Sequence, residues 1–352
     1  MREASSFRDV RTDTLALALA PGVGPRGYHD RSQKFGSPAH AFKATVDPPS
    51  QSGLRDEARR VAAAGERCGA SLLLFGDADY PPSLLHLYDP PPFLFVLGDL
   101  SVLERPVVAI VGTRRATPYG ERVTTALAGA LAAAGACVVS GMARGIDAAA
   151  HRAALARGGT TAAVLGTGVD IAYPVGHRAL HRTIVERGVV ISEFPCGVRA
   201  TPGSFPRRNR IIAALARLTI VVEAGERSGA RITARHALEL GRDVGAVPGP
   251  VDSPQHVGSN TLIQEGAHPI LSATDAFSIL GLADPAARTD VPPTLQGDER
   301  AVWLALEDGA TAIDLLTERA ALTPRRSLAA VTALELAGLV ETLPTGELRR
   351  RR

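Results

Sequence analysis

Short apolar runs alternate with helix-like segments through the middle of this 352-residue chain. The apolar runs lie at 107–111, 136–140, 161–165, 189–192, 218–223 and 244–247. Helical periodicity lies between them, near 118–134, 146–157, 177–187, 208–216 and 230–240. Runs that are continuously apolar are typical of parallel strands covered on both faces by helices. The sequence therefore predicts an α/β fold, a doubly wound, mostly parallel Rossmann-like sheet with its ligand site at the carboxyl ends of the strands.

The segments on either side of this sheet follow other patterns. An apolar helix over 15–20 stops at a Pro-Gly turn, 46–53 looks like a loose connection rich in proline and glycine, and a strand is predicted at Phe93–Leu97. A proline-rich polar stretch near 283–298 precedes three helical patterns and a short hairpin. The predicted domains are an N-terminal helical region (SAM-like or helix-hairpin-helix-like) over 1–80, an extended Rossmann-like core over 81–282, a linker over 283–297 and a winged-helix domain over 298–352.

Positive charge is concentrated in the middle of the chain. The formal net charge is only +3, but residues 105–235 contain 18 arginines and 7 acidic residues, a local excess of +11 that leaves −8 elsewhere. This distribution indicates a binding site for a polyanion. Lys34 and Lys43 are the only lysines, which excludes a Schiff-base lysine or a P-loop lysine in the core.

A cluster of three arginines and one aromatic residue precedes the apolar run that begins at Ile211. The cluster is Phe205-Pro-Arg-Arg-Asn-Arg210, and its position predicts the N-terminus of a helix, where free N–H groups favour anions. Guanidinium groups bind phosphate oxygens in pairs, and an aromatic ring offers a face on which a base can stack. This combination indicates a nucleic-acid-binding site.

Glycine and arginine also follow the other predicted strands. Because the carboxyl ends of parallel strands meet at one edge of the sheet, we expect these loops to converge there, with glycines that let backbone amides approach a ligand. The DNA-binding residues predicted in this way are Gly112, Thr113, Arg114, Arg115, Gly141, Arg144, Gly145, Phe205, Arg207, Arg208, Asn209, Arg210, Ser228, Gly229 and Arg231.

The motifs at these positions resemble those of the DNA-processing protein A (DprA/Smf) family, in order from about Pro81 to about Leu280. They are Val-Gly-Thr-Arg-Arg at 111–115, Ser-Gly-Met-Ala-Arg-Gly-Ile-Asp at 140–147, Ser-Glu-Phe-Pro at 192–195, the arginine cluster at 205–210, and Val-Pro-Gly at 247–249. The resemblance implies a homodimeric protein that binds single-stranded DNA, brings the RecA recombinase onto it and protects incoming DNA in natural transformation. It also implies that there is no enzymatic reaction and no cofactor.

Two rival sites can be weighed from the residues. A dinucleotide site is disfavoured, because the first turn lacks the Gly-x-Gly-x-x-Gly order and the second strand ends in Ser140-Gly141 rather than near a ribose-binding acid. A Rossmann-like enzyme acting on nucleotides or nucleic acid at the same edge is the alternative. It could use magnesium on strand-end carboxylates, although we expect these to orient arginines and cap helices; they are Asp147, Asp170, Glu193 and Glu223.

No metal site and no catalytic residue is predicted. His177 and His181 are four residues apart, as zinc ligands can be, but without a third ligand nearby an exposed helical pair is favoured. At the C-terminus, Arg325-Arg326 could contact either a DNA groove or a protein, and Arg349–Arg352 is interpreted as a solvated tail.

The cysteines and the hydropathy indicate the cellular compartment of the protein. The three cysteines, Cys68, Cys137 and Cys196, are widely spaced and form neither a disulfide framework nor a zinc pattern. There is no signal peptide pattern, and no uncharged apolar stretch approaches about 18 residues. The sequence therefore predicts a cytoplasmic protein without a membrane segment.

Overall fold

The structure, a computed structural model, describes residues 2–283, 295–306, 311–343 and 345–350, with side chains from Asp9 onward. The chain divides into two compact units, residues 1–282 and 283–352. The linker predicted over 283–297 lies mostly outside the described residues. Within the described part of the chain, no helix is both long and apolar enough to cross a membrane.

A nine-stranded, mostly parallel sheet forms the centre of the first unit. Its strands are β1 (Ser71–Leu74), β2 (Phe93–Gly98), β3 (Val107–Val111), β4 (Cys137–Ser140), β5 (Thr161–Val164), β6 (Val189–Ser192), β7 (Leu218–Val221), β8 (Asp243–Ala246) and β9 (His268–Pro269). Their spatial order is β1-β2-β6-β5-β4-β3-β7-β8-β9. The pairs β1–β2 and β2–β6 are antiparallel, and all the others are parallel. The six predicted runs are confirmed as β3 to β8.

Helices cover both faces of this sheet. They are α5 (Pro118–Ala133), α6 (Ile146–Ala156), α7 (Arg178–Arg187), α8 (Ser204–Leu215), α9 (Gly229–Glu239), α10 (Val257–Gln264) and α11 (Ala273–Leu280). Along β3, Val107, Ala109 and Val111 pack in a core with α8 and α9. Val108 and Ile110 point the other way, into a core with α5, α6 and α11. Because strand side chains alternate between faces, both faces of each strand must be apolar, as the sequence pattern predicted.

Four helices precede the sheet: α1 (Arg2–Leu19), α2 (Pro25–Lys34), α3 (Pro38–Thr45) and α4 (Pro48–Arg67). The loose connection predicted over 46–53 is wrong, because α4 begins there. Its prolines occupy the first helical positions, where no N–H is needed, and the Asp47 side chain caps the helix by accepting from the Ser50 N–H at 3.1 Å. The sheet also begins at β1, before the boundary predicted at residue 81.

The second unit is a small helical domain with a hairpin. It consists of α12 (Gly297–Ala305), α13 (Ile313–Arg319), α14 (Pro324–Leu336), β10 (Val340–Thr342) and β11 (Leu348–Arg350). The solvated tail predicted at 349–352 is wrong for its first two residues, because they form β11. Arg349 pairs with Glu341 at 2.6 Å, and the Arg350 guanidinium lies 4.7 Å from the centroid of the Trp303 ring. Residues 351–352 lie outside the described residues.

Candidate nucleic-acid interface

A cavity of about 760 Å³ opens at the carboxyl ends of β3 and β7. These strands are neighbours in the sheet, although three strands, β4 to β6, and four helices, α5 to α8, separate them in sequence. The order of the strands reverses between them, and such a reversal leaves a crevice at the sheet edge. The lining includes Gly112, Thr113, Arg114, Phe205, Arg208, Asn209, Ser228 and Gly229.

The loop after β3 is held in one conformation by its neighbours. The Thr113 N–H donates to the Glu223 carbonyl at 2.7 Å, and the Thr113 hydroxyl accepts from the Arg115 N–H at 3.2 Å. A side chain on Gly112 would collide with Ile146. These contacts let the backbone pass close to α6 and direct the exposed Arg114 side chain over the cavity.

Arg114, Phe205 and Tyr173 form a stack at the cavity mouth. The guanidinium carbon of Arg114 lies 4.9 Å from the centroid of the Phe205 ring, within the range of a cation–π contact. The Tyr173 ring lies 5.3 Å from Phe205 on a tilted plane, and 43% of Tyr173 is exposed. A planar cation and two aromatic rings thus lie together beside the cavity.

A smaller cavity of about 240 Å³ adjoins the first. Arg114, Arg115 and Arg144 line it together with Gly141 and Tyr173. All three arginines are exposed. They come from the loops after β3 and β4, so the convergence of these loops, expected from the sequence, brings three cations to one opening.

Arg208 is not a surface residue. Only 4% of it is exposed, and its Nη1 donates to the Val164 carbonyl of β5. A side chain on Gly141 would collide with this guanidinium, which explains the glycine. Burial lowers the pKa of Arg208 to about 10, although the nearby Asp147 carboxylate acts in the opposite direction. Burial also raises the pKa of Asp147. Arg208 therefore forms the floor below the two cavities.

Arg207 and Arg210 converge on one buried carboxylate. Their Nη2 atoms lie 2.8 Å and 2.7 Å from Glu193 Oε2. Arg210 is buried and also lies 3.4 Å from Asp89, whereas the Arg207 side chain is 44% exposed and stacks on Phe194. The spacing of three residues puts the two arginines on one face of α8 and Arg208 on another. Neither lines the cavities.

The arginine cluster lies at the N-terminal end of a helix, as its position predicted, but inside the helix. Because α8 begins at Ser204, four residues earlier than the start predicted at 208, Phe205–Arg210 form its first two turns. The remaining predicted residues have structural partners. Asn209 donates to the Gly229 carbonyl at 3.3 Å, Arg231 pairs with Glu265 at 3.3 Å, and Gly145 precedes α6 with φ 73°.

The start of α9 faces the larger cavity. Ser228 caps this helix by accepting from the Ala230 N–H at 3.3 Å, and Gly229 is its first residue. The first N–H groups of a helix have no partner within it, and they carry partial positive charge. Exposed Arg227 lines the same wall. This end of the cavity is therefore suited to an anion.

The strand-end carboxylates are occupied by protein groups. Besides the two arginines on Glu193, Asp170 accepts from the Gly197 N–H at 3.0 Å, and Glu223 accepts from the Thr117 N–H at 2.9 Å. Among the described residues, no three His, Cys, Asp or Glu side chains are grouped so that they could hold a metal ion. Glu193 orients arginines, as we expected, whereas Asp170 and Glu223 accept from backbone N–H groups of loops.

The two histidines are not an exposed helical pair, which corrects the expectation. His177 lies 3.0 Å from the Met142 carbonyl through Nδ1, and His181 lies 2.7 Å from the Val169 carbonyl through Nε2. Each ring therefore ties its element to a neighbouring strand-end loop. Sequence spacing showed only that they share a helical repeat, not that two carbonyl groups face them.

Sequence reasoning missed a basic groove next to the cavities. The groove measures about 950 Å³ and shares Tyr173 and Ala200 with the larger cavity. Three exposed arginines line it, namely Arg178, Arg182 and Arg199. The signal that could have found it is the i, i+4 spacing of Arg178 and Arg182 in the first turns of α7.

Residues 71–281 match the DNA recombination-mediator protein A family, and residues 285–346 match the DprA winged helix domain. This chain belongs to the DNA recombination-mediator protein A family. The resemblance found in the motifs is thereby confirmed, as is the winged-helix nature of the second unit. Protein Smf of Escherichia coli, a relative within the family, is 38% identical over 286 residues, which cover 78% of this chain and 75% of that protein.

Two solved structures of family members resemble this fold. DNA processing protein A of Streptococcus pneumoniae is 32% identical with a TM-score of 0.65, and the match covers 78% of this chain and 96% of that one. DNA processing protein A of Helicobacter pylori is 31% identical with a TM-score of 0.55, and the match covers 60% of this chain and 97% of that one. The Helicobacter structure describes a single-stranded DNA binding mode.

Proposed function

We propose that this protein binds single-stranded DNA at the two cavities and acts as a recombination mediator. The observation that carries the proposal is the Arg114–Phe205–Tyr173 stack beside exposed Arg115 and Arg144. Unpaired bases stack on aromatic rings, and phosphates pair with guanidinium groups. Family membership and the DNA-binding mode of the Helicobacter relative support the same assignment.

Each part of the predicted site takes a distinct role in this proposal. Arg114, Arg115 and Arg144 contact phosphates, Phe205 and Tyr173 stack bases, and the α9 start with Ser228 and Gly229 binds a further phosphate. The buried or paired residues hold this surface in place from behind; they are Gly112, Thr113, Gly141, Gly145, Arg207, Arg208, Asn209, Arg210 and Arg231.

We infer that the bound DNA strand continues from Tyr173 into the groove lined by Arg178, Arg182 and Arg199. The groove adjoins the larger cavity and shares Tyr173 with it. Its arginines are exposed and spaced along α7 and the loop before α8, as a path for a phosphate backbone requires. A short oligonucleotide should occupy the cavities alone, whereas a longer one should also contact the groove.

Salt-dependent binding of oligothymidylate tests the proposal. With about four phosphates neutralised, the logarithm of the binding constant should fall against the logarithm of salt with a slope near −3, at about −0.7 per phosphate. Duplex of equal length hides its base faces and should compete poorly. A slope near zero, or equal competition by duplex, would contradict binding at this surface.

The finer function we propose is that this protein loads RecA onto the bound strand, as a homodimer in the cytoplasm, and so protects incoming DNA in natural transformation. A strand-exchange assay in which single-strand-binding protein blocks RecA tests loading directly. The rival function is an enzyme acting on nucleotides or nucleic acid at the same edge. Turnover of labelled single strands or nucleotides in the presence of magnesium would favour that rival.

We also propose a division of labour between the domains. The basic excess lies in residues 105–235, so deleting residues 290–352 should leave most single-strand binding intact. Loss of binding by a truncated protein that still melts cooperatively would instead place the site on the winged helix. The assignment of residues 1–80 as a SAM-like or helix-hairpin-helix-like unit remains a proposal.

A further inference from the structure

Two of the three cysteines meet in space although they are far apart in sequence. The Sγ atoms of Cys68 and Cys196 are 3.0 Å apart, and the residues are separated by 128 positions. Cys68 is the residue that ends α4, and Cys196 lies in the loop between β6 and α8. The third cysteine, Cys137, is buried in β4. The protein therefore contains one adjacent dithiol and one isolated thiol.

Small reagents can reach the dithiol. Both cysteines are half-buried rather than enclosed, and Cys68 lines the basic groove. In a reducing compartment such pairs stay as thiols, and those that oxidise do so transiently as redox sensors. Accessibility combined with a neighbouring thiol distinguishes this pair from a structural core cysteine such as Cys137.

We propose that Cys68 and Cys196 are a redox modification site, which a two-electron oxidant such as hydrogen peroxide converts to a reversible disulfide between α4 and the β6–α8 loop. This inference is independent of the proposed function. It requires only that the two sulfurs lie side by side and that peroxide reaches one of them.

The chemistry balances in two steps. The Cys68 sulfur loses its proton and attacks a peroxide oxygen; the O–O bond breaks, and Cys68 sulfenic acid and one water result. The Cys196 sulfur then attacks the Cys68 sulfur; the S–S bond forms, the S–O bond breaks, and the hydroxyl leaves with the Cys196 proton as a second water. Two thiols thus supply two electrons that reduce one peroxide.

The surroundings of Cys196 decide this order. Burial, and after it the contact with Cys68 and the nearby Asp170 carboxylate, raises the pKa of the Cys196 thiol. Because the thiolate is the attacking species, we assign the first attack to Cys68 and the second to Cys196.

The disulfide would brace a loop that forms part of the cavity wall. Gly197 is already held by Asp170, and the Val198 carbonyl accepts from the Gly168 N–H at 2.9 Å. The following residues Ala200, Thr201 and Pro202 line the larger cavity. A crosslink over 128 positions also restricts the unfolded chain, so the oxidised protein should melt several degrees higher than the reduced protein.

Thiol counting on the full-length protein tests the proposal. Reduced, desalted protein is treated with a slight excess of hydrogen peroxide, denatured without reductant and analysed for free thiols and for disulfide-linked peptides. The accessible thiols should fall from three to one, with residues 68 and 196 joined in one monomer, and dithiothreitol should restore all three. Cys137→Ser should keep the two-thiol loss, whereas Cys68→Ser and Cys196→Ser should abolish it.

Three outcomes would overturn the proposal. The wild-type protein could retain all three thiols at a peroxide concentration that oxidises a control dithiol, or crosslink through Cys137, or crosslink only between molecules. Because the wild-type experiment needs no substitution, a variant that fails to fold cannot hide the answer. The peroxide-induced rise in melting temperature, present in Cys137→Ser and absent in Cys68→Ser, provides a second measurement of the same bond.

Discussion

The guanidinium carbon of Arg114 lies 4.9 Å from the centroid of the Phe205 ring, which joins the loop after β3 to the first turn of α8. Arg114 is exposed at the opening of both cavities, whereas Arg207 pairs with Glu193 outside them. The two arginines are therefore a matched pair for testing which cations contact DNA.

Arg114→Ala should reduce the magnitude of the salt slope for oligothymidylate binding by about 0.7, the contribution of one phosphate. Arg207→Ala should leave that slope nearly unchanged, because its charge is already balanced by a carboxylate. Fluorescence anisotropy at a series of salt concentrations measures both. A larger change in the salt slope for Arg207→Ala than for Arg114→Ala would place the bound DNA on the other side of α8.

Phe205→Ala should weaken binding of single strands by about 1–3 kcal/mol without altering the salt slope, since stacking releases no counterions. Phe205→Tyr keeps a ring and is the control that should bind normally. Thermal melts of the same variants show whether the fold is affected. If Phe205→Ala lowers stability but binds normally when folded, Phe205 is a packing residue and not part of the site.

Arg210→Ala should destabilise the protein by about 3–5 kcal/mol, because Arg210 is the buried one of the two arginines that balance the buried Glu193 carboxylate. Arg207→Ala should cost no more than about 1 kcal/mol, since that side chain is partly exposed. Urea denaturation compares the two variants. Equal losses would mean that Glu193 depends on both partners alike. Replacing all three arginines of α8 together would change fold stability and DNA binding at once, so the two effects could not be separated.

Gly141→Ala should cost about 1–3 kcal/mol of stability, because the added methyl group collides with the buried Arg208 guanidinium. Gly229→Ala is the control: its methyl group would meet nothing within 4 Å, and it should keep or raise stability by up to about 1 kcal/mol. Melting temperatures decide the comparison. A Gly141→Ala protein as stable as wild type would show that Arg208 can move away.

Acid should destabilise the protein through His151. Burial, reinforced by the charge of Arg208, lowers the pKa of this histidine to about 3. Its Nδ1 lies 2.7 Å from the Thr161 hydroxyl oxygen. The unfolded chain takes up the proton as the pH falls through about 6.5, while the folded chain does not, so stability should be lost from there downward by up to about 1.4 kcal/mol per pH unit.

His151→Asn removes the titrating group and should flatten this dependence between about pH 6.5 and pH 4.5. Urea unfolding of both proteins across that range measures the difference. Burial raises the pKa values of Asp147 and Glu193, which act in the opposite direction, so the comparison with the variant matters more than the wild-type slope alone. Identical slopes for the two proteins would rule out His151 as the source.

Local pattern accounts for the parts of the fold that were predicted. A strand covered on both faces must be apolar at every position, so β3 to β8 could be recognised from the chain alone. Proline and glycine are typical of loops, so the pattern over 46–53 does not reveal the helix that begins at Pro48, although proline is favourable in the first turn of a helix. The prolines mark where the helix starts, and the burial of α4 against its neighbours decides that it forms.

The sequence by itself determined the sheet, the position of its ligand edge and the concentration of arginine there. Only the tertiary structure decided which arginines reach that edge. Successive helix residues point about 100° apart, so Arg207 and Arg210 face Glu193 while Arg208 passes beneath Gly141. The contact between Cys68 and Cys196 was likewise decided only by the tertiary structure, because no local rule brings together side chains separated by 128 positions. Charge and hydropathy are properties of residues, whereas exposure and partners are properties of the packed chain.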